Sequence, residues 1–115
     1  MVKIIVLPEA KFRLHNALLY AKIEFGDEAN KRFGNDANRI FRTLSNFPNL
    51  YAKIDLLAGI YEQEFRGATV RKNFKFVYFY DKTKNEVIIV DLWDLRMSEE
   101  NRLRQIAEVV RRNRL

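Results

Sequence analysis

Three cations in the second half of the chain, Arg66, Lys75 and Arg96, sit in or beside runs of residues that favour extended backbone. With Arg71 and Lys72 they form the set of side chains best suited to grip an anion. Side chains two apart on a strand share a face, so Glu62, Glu64 and Arg66 are expected on one surface, with Lys75 joining them from the next strand and Arg96 at the edge. Such a mixed-charge patch can clamp a phosphate or a partner's carboxylate, the arginines offering a bidentate fork. Glu64, Arg71, Lys72, Trp93 and Asp94 complete the candidate binding set. The same residues also suit ordinary cross-strand pairing, such as Glu64 with Lys75, worth ~0.2–1 kcal/mol at an exposed site. Tyr78, Phe79, Tyr80 and Trp93 are aromatic enough to stack on bases, or to fill a core. The one histidine, His15, falls far from these strings and is expected at the surface or its boundary. No phosphate-binding glycine loop, GxSxG elbow or metal-ligand cluster occurs, so neither a cofactor nor a metal is expected.

These residues are carried by a chain of 115 residues, a length suited to one domain over residues 1–115, with 48% hydrophobic residues and no cysteine. That balance is unlike a disordered segment, and the lack of cysteine gives no support to an oxidising compartment. Val2–Leu7 stops at Pro8, far short of the ~20 apolar residues of a membrane span. A cytoplasmic protein without membrane contact is the resulting expectation. The net charge of +6 is uneven: residues 66–115 hold twelve Lys or Arg against seven Asp or Glu, whereas residues 1–65 hold nine against eight. A basic half favours RNA, DNA or an acidic protein segment, although it also suits a merely soluble basic surface.

The elements that must position the candidates follow from periodicity. Residues 2–7 predict a strand, and Pro8 opens a helix carrying Leu14, Ala17, Leu18, Ala21 and Phe25 at helical spacing until Gly26. Asp27 is expected to cap a second helix with a stripe of Ala29, Phe33, Ala37, Ile40, Phe41 and Leu44, a break at Gly34 with a restart at Asp36 being the alternative. Residues 49–59 fit a loop or one to two helical turns. Alternation from Ile60 to Gly67 predicts an outer strand, and residues 74–80 and 87–93 predict two central strands joined by a turn. Ser98 caps a last helix with Leu103, Ile106, Ala107 and Val110 on its stripe. The expected class is α+β: a small antiparallel-rich sheet in the order β-α-α-β-β-β-α, with the helical hairpin packed on one face.

Three strings in this order, Glu64-Phe65-Arg66-Gly67, Asn73–Tyr80 and Ile89–Arg96, resemble the RelE/ParE toxins of bacterial type II toxin–antitoxin, or plasmid-stabilisation, systems. Phe74-Lys75 and Val77-Tyr78 match the family's aromatic-basic and aliphatic-tyrosine pairs, and Trp93-Asp94-Leu95-Arg96 its arginine-bearing strand end. The resemblance spans nearly the whole chain. It implies a toxin that arrests growth either as a ribosome-dependent mRNA interferase, a metal-independent endoribonuclease, or as a DNA gyrase inhibitor, neutralised by a cognate antitoxin. Cleavage through the 2′-hydroxyl needs a base, phosphate-holding cations and an acid. Here Glu62 and Glu64 stand where catalytic members carry lysines, and no tyrosine follows Tyr80. The resemblance therefore implies a gyrase-type or degenerate toxin first. An active interferase using Arg66, Lys75 and Arg96 is the alternative, and an RNA-binding module without toxicity is a third reading. The stripe of the last helix, ending in Arg111, Arg112 and Arg114, offers a docking place for the antitoxin.

Overall fold

A computed structural model describes all 115 residues. The chain begins with β1 (Lys3–Val6), whose β-branched residues insert beside the last strand, and Leu7 donates its backbone N–H to Ile89 O at 2.9 Å. Pro8, free of any need to donate, then opens α1 (Pro8–Phe25). Gly26, at φ +94°, makes the corner into α2 (Asp27–Asn46), and Asp27 is the first helical residue, without a side-chain capping bond. The expected Asp27 cap is thus corrected: the left-handed glycine already occupies the junction. Gly34 does not break α2. Its flanking residues Phe33, Ala37, Ile40 and Leu44 are all buried, and that packing outweighs the ~1 kcal/mol a helix-interior glycine costs.

A loop containing a short 3₁₀ turn (Asp55–Leu57) leads to β2 (Arg66–Val70), β3 (Phe74–Asp81), β4 (Glu86–Asp94) and α3 (Glu99–Asn113). Ser98 Oγ accepts from Asn101 N at 3.1 Å, the cap anticipated for α3. The mixed four-stranded sheet has the order β1-β4-β3-β2, with β1 parallel to β4 and the other pairs antiparallel. No helix is long and apolar enough to cross a membrane.

The outer strand lies about six residues later than its alternation predicts. Residues 60–65 are irregular: Phe65 N bonds Gln63 O, and Ile54 N bonds Phe65 O. The alternating Tyr61 and Phe65 rings instead pack edge-on at 5.6 Å. Gly67 does not end the strand but sits inside it, because the aliphatic stem of Lys75 crosses its vacant side; a Cβ there would stand 2.5 Å from Lys75 Cδ.

The helices occupy both faces of the sheet. The hairpin of α1 and α2 covers Ala68, Val70, Phe76, Tyr78, Val87, Ile89 and Leu92, with Phe33 stacked at 5.3 Å from Phe74 and Phe41 at 5.1 Å from Phe76. The other face carries Val77, Val90 and Trp93, closed over by Ile106 and Val109 of α3 and by Ile54, Leu57 and Phe65 of the long loop. A sheet apolar on both sides needs cover on both sides. The stripe of α3 is therefore spent on the core, and its inward residue is Val109, whereas Ala107 faces solvent.

β4 carries one extra residue. Val77 is opposite Asp91 and Tyr78 opposite Ile89, which leaves Val90 as a bulge. Strict alternation is thereby broken, and Ile89 and Leu92, three apart, reach the same face. β1 pairs with β4 only as far as Ile89, so the bulge also marks where β4 loses its outer neighbour. There Asp91, fully buried, accepts from Arg13 of α1, from Gln105 of α3 at 2.9 Å and from Leu92 N, while Gln105 also donates to Leu92 O at 3.4 Å. Burial pushes the Asp91 carboxyl above the usual carboxylate range despite the Gln105 and Arg13 contacts.

Candidate anion-binding groove

Arg96 sits just past the end of β4, where the chain turns toward α3. Its backbone N–H and Nε both reach Asp94 Oδ1, at 3.0 and 2.9 Å, and Nη2 reaches Oδ2 at 2.8 Å. This fork fixes the guanidinium plane 5.9 Å from the Phe74 ring centroid, where the ring's negative face attracts it. Hydrogen bonding to Arg96 holds the Asp94 carboxyl below its ordinary range, and the same contact raises Arg96.

Two recesses meet at this arginine. One, of about 370 Å³, lies between α1 and the end of β4 and is reached by Arg13, Asn16 and Gln105. The other, of about 350 Å³, lies between the junction of the helices and the β2–β3 turn and is reached by Phe25, Arg32, Arg71 and Lys72. Ala17, Tyr20, Phe74 and Arg96 line both, so the two form one groove with an aromatic waist. Arg71 stands at φ +52° in the tight turn after β2, and its Nη1 binds Asp36 of α2 at 2.8 Å. That bond, ahead of Arg39, lowers the Asp36 carboxyl. Lys72 is exposed and makes no ion pair, and neither does Arg32. Cations at both ends and aromatic rings between them suit an extended anionic ligand.

The candidates do not converge on one patch. Arg66 faces Tyr78 across the β2–β3 ladder and Lys75 faces Thr69, three residues further on, so Arg66 and Lys75 point to opposite faces of the sheet. Arg66 is committed to structure: Nη1 donates to Tyr51 O at 2.7 Å, and only 16% of its side chain is exposed. It lies by the loop after α2, near Tyr78, whereas Arg96 lies by Phe74 at the opposite end of the β2–β3 ladder. Glu64 pairs with Lys53 at 2.6 Å and with Arg66 at 3.3 Å, not with Lys75, and the Lys53 hydrogen bond keeps its carboxyl low. Glu62 and Glu64 line a separate recess with Lys53 and Tyr61. Trp93 is 1% exposed, and its Nε1 finds no acceptor in the second core, so its ring presents no surface to a ligand. Tyr78 is as deeply buried and bonds Pro48 O at 3.0 Å. Of the sequence-derived set, the groove thus assembles Arg71, Lys72, Asp94 and Arg96, and His15 is exposed on α1.

Sequence reasoning passed over Arg13, Tyr20 and Arg32, which carry no local motif and reach the groove only because the hairpin folds against the start of β3. Asp91 had a signal: it is the single charge in the otherwise apolar run Val87–Trp93. No protein-family model matches the chain, and no curated protein sequence matches it significantly.

Proposed function

We propose that the chain is the toxin component of a type II toxin–antitoxin module of the RelE/ParE type, one that arrests growth by binding a bacterial target and is neutralised by a cognate acidic antitoxin. The observation that carries this reading is the division of the cations. Arg71, Lys72 and Arg96 gather with Arg13 and Arg32 around one groove, while Arg66 and Lys75 stand apart from it and from each other. Binding an extended acidic partner needs a line of cations with apolar relief between them, and the groove supplies both. RNA cleavage needs a base, an acid and phosphate ligands within hydrogen-bond reach of one scissile bond. Arg66, Lys75 and Arg96 do not share a face on which to meet that condition, which favours a gyrase-type target over an mRNA interferase.

Inducible expression in bacteria tests the reading. Growth arrest with induction of the SOS response and intact transcripts is the expected outcome, and a small acidic protein encoded beside the gene, co-expressed, should relieve it. Arg96→Ala should weaken target binding by about tenfold or more, equivalent to ~1.4 kcal/mol, and restore growth. Transcripts cut within open reading frames at the onset of arrest would instead assign an interferase, and growth without any defect would leave an RNA-binding module.

A further inference from the structure

α1 is apolar on two sides. Its inner side, Ala10, Ala17 and Ala21 with Leu14 and Leu18, packs on the sheet. Its outer side carries Phe12, Asn16, Leu19 and Ile23 at spacings of four, three and four. All four are exposed, with Phe12 at 66%, Leu19 at 46% and Ile23 at 71%. Alternating steps of four and three are those of a heptad seam, in which Phe12 and Leu19 occupy d positions and Asn16 and Ile23 occupy a positions. A lone asparagine at an a position is the device by which such a seam selects its register. The seam from Phe12 to Ile23 covers about two-thirds of the 18-residue helix, about 17 Å at 1.5 Å per residue. Lys11 and Lys22 lie along one flank, Lys22 within 3.8 Å of Asp27 in an exposed pair, while Arg13 on the other flank is turned to Asp91.

We propose that this outer face of α1 docks an amphipathic helix of another protein, with aliphatic residues on its own seam, a polar residue opposite Asn16, and Glu or Asp along its flanks. Charge decides among occupants. A second copy would set Lys11 and Lys22 against the same residues of its twin, in a molecule of net charge +6. Nucleic acid would satisfy the lysines but would leave Phe12, Leu19 and Ile23 unexplained. An acidic helix satisfies both. The inference does not depend on the toxin reading, because Phe12, Leu19 and Ile23 lie outside the groove, with Asn16 alone bordering both, and it is tested with purified protein alone.

The test uses a labelled synthetic peptide of three heptads with Leu and Ile on its seam, one central Asn at an a position and Glu at every e and g position, and a twin with Lys at e and g. Each is titrated with the full chain by fluorescence anisotropy. The acidic peptide should bind, its Lys twin at least tenfold more weakly, with affinity falling as salt rises. Leu19→Asp and Ile23→Asp, at exposed positions, should abolish binding while leaving the thermal melt unchanged. Failure of the acidic peptide to bind, equal binding of both peptides, or binding that survives Leu19→Asp would overturn the proposal. A dimer of the chain in sedimentation, dissolved by Leu19→Asp, would overturn it in favour of a second copy.

Discussion

Two arginines mark the two ends of the β2–β3 ladder, and they are used in opposite ways. Arg66 is drawn under the loop after α2 and gives its guanidinium to a backbone carbonyl, with Tyr78 beside it bonding a second loop carbonyl at Pro48. Arg96 stays at the surface, held over Phe74 by Asp94, with groove on both sides. The lesson is that an arginine at a sheet margin is told apart by its acceptor. A carbonyl with no other donor commits it to the fold, whereas a solvated carboxylate orients it and leaves a face free.

That contrast can be broken by substitution. Arg66→Ala should have the largest effect on stability, a loss of about 2 kcal/mol in urea unfolding, because it strips a charged donor from a partly buried carbonyl. It should leave target binding in the groove unchanged in the folded protein. Tyr78→Phe, at the same end, should cost about 1 kcal/mol at neutral pH. Burial pushes the Tyr78 phenol up to about 12 from 10.0, so the folded state retains this proton longer than the unfolded chain does. Its stabilising effect is full below pH 10 and is lost as pH rises toward 12. Alkaline unfolding should accordingly be steeper in the wild type than in Tyr78→Phe. Arg96→Ala should change stability least, since its pair with Asp94 is exposed. The small difference has a sign that can be checked. Asp94 is held low, so its contribution is present above the ordinary carboxylate value and is lost as pH falls below it; the gap between wild type and variant should close in acid.

The helices and the two central strands were legible because each helix keeps one period and each strand is a long apolar run, and the α2 stripe and both runs match the buried residues; Phe25 of the α1 stripe and Ala107 of the α3 stripe are instead exposed. The outer strand was misplaced because Tyr61, Gln63 and Phe65 alternate for a different reason: two rings pack together in an irregular segment. Gly67 misled in the same direction, since a strand glycine that lets a lysine stem pass looks identical in sequence to one that ends a strand. The hairpin was expected on one face of the sheet and lies there, but the stripe of α3 says only that this helix is covered, not by which face. Arg71, Lys72, Asp94 and Arg96 were found because they lie in or next to strand ends. Their partners on α1 and α2 are long-range contacts, which no local spacing announces.

The bulge in β4 reaches beyond the site. From Val90 onward this strand has no sheet neighbour on one side, and the Gln105 amide and Asp91 carboxylate take the place that further strand pairing would fill. The last helix is thus a guard against unwanted strand addition as well as a cover for Trp93. A chain cut before Ser98 would bare an unsatisfied ribbon edge and a large indole together, the combination from which ordered aggregates grow.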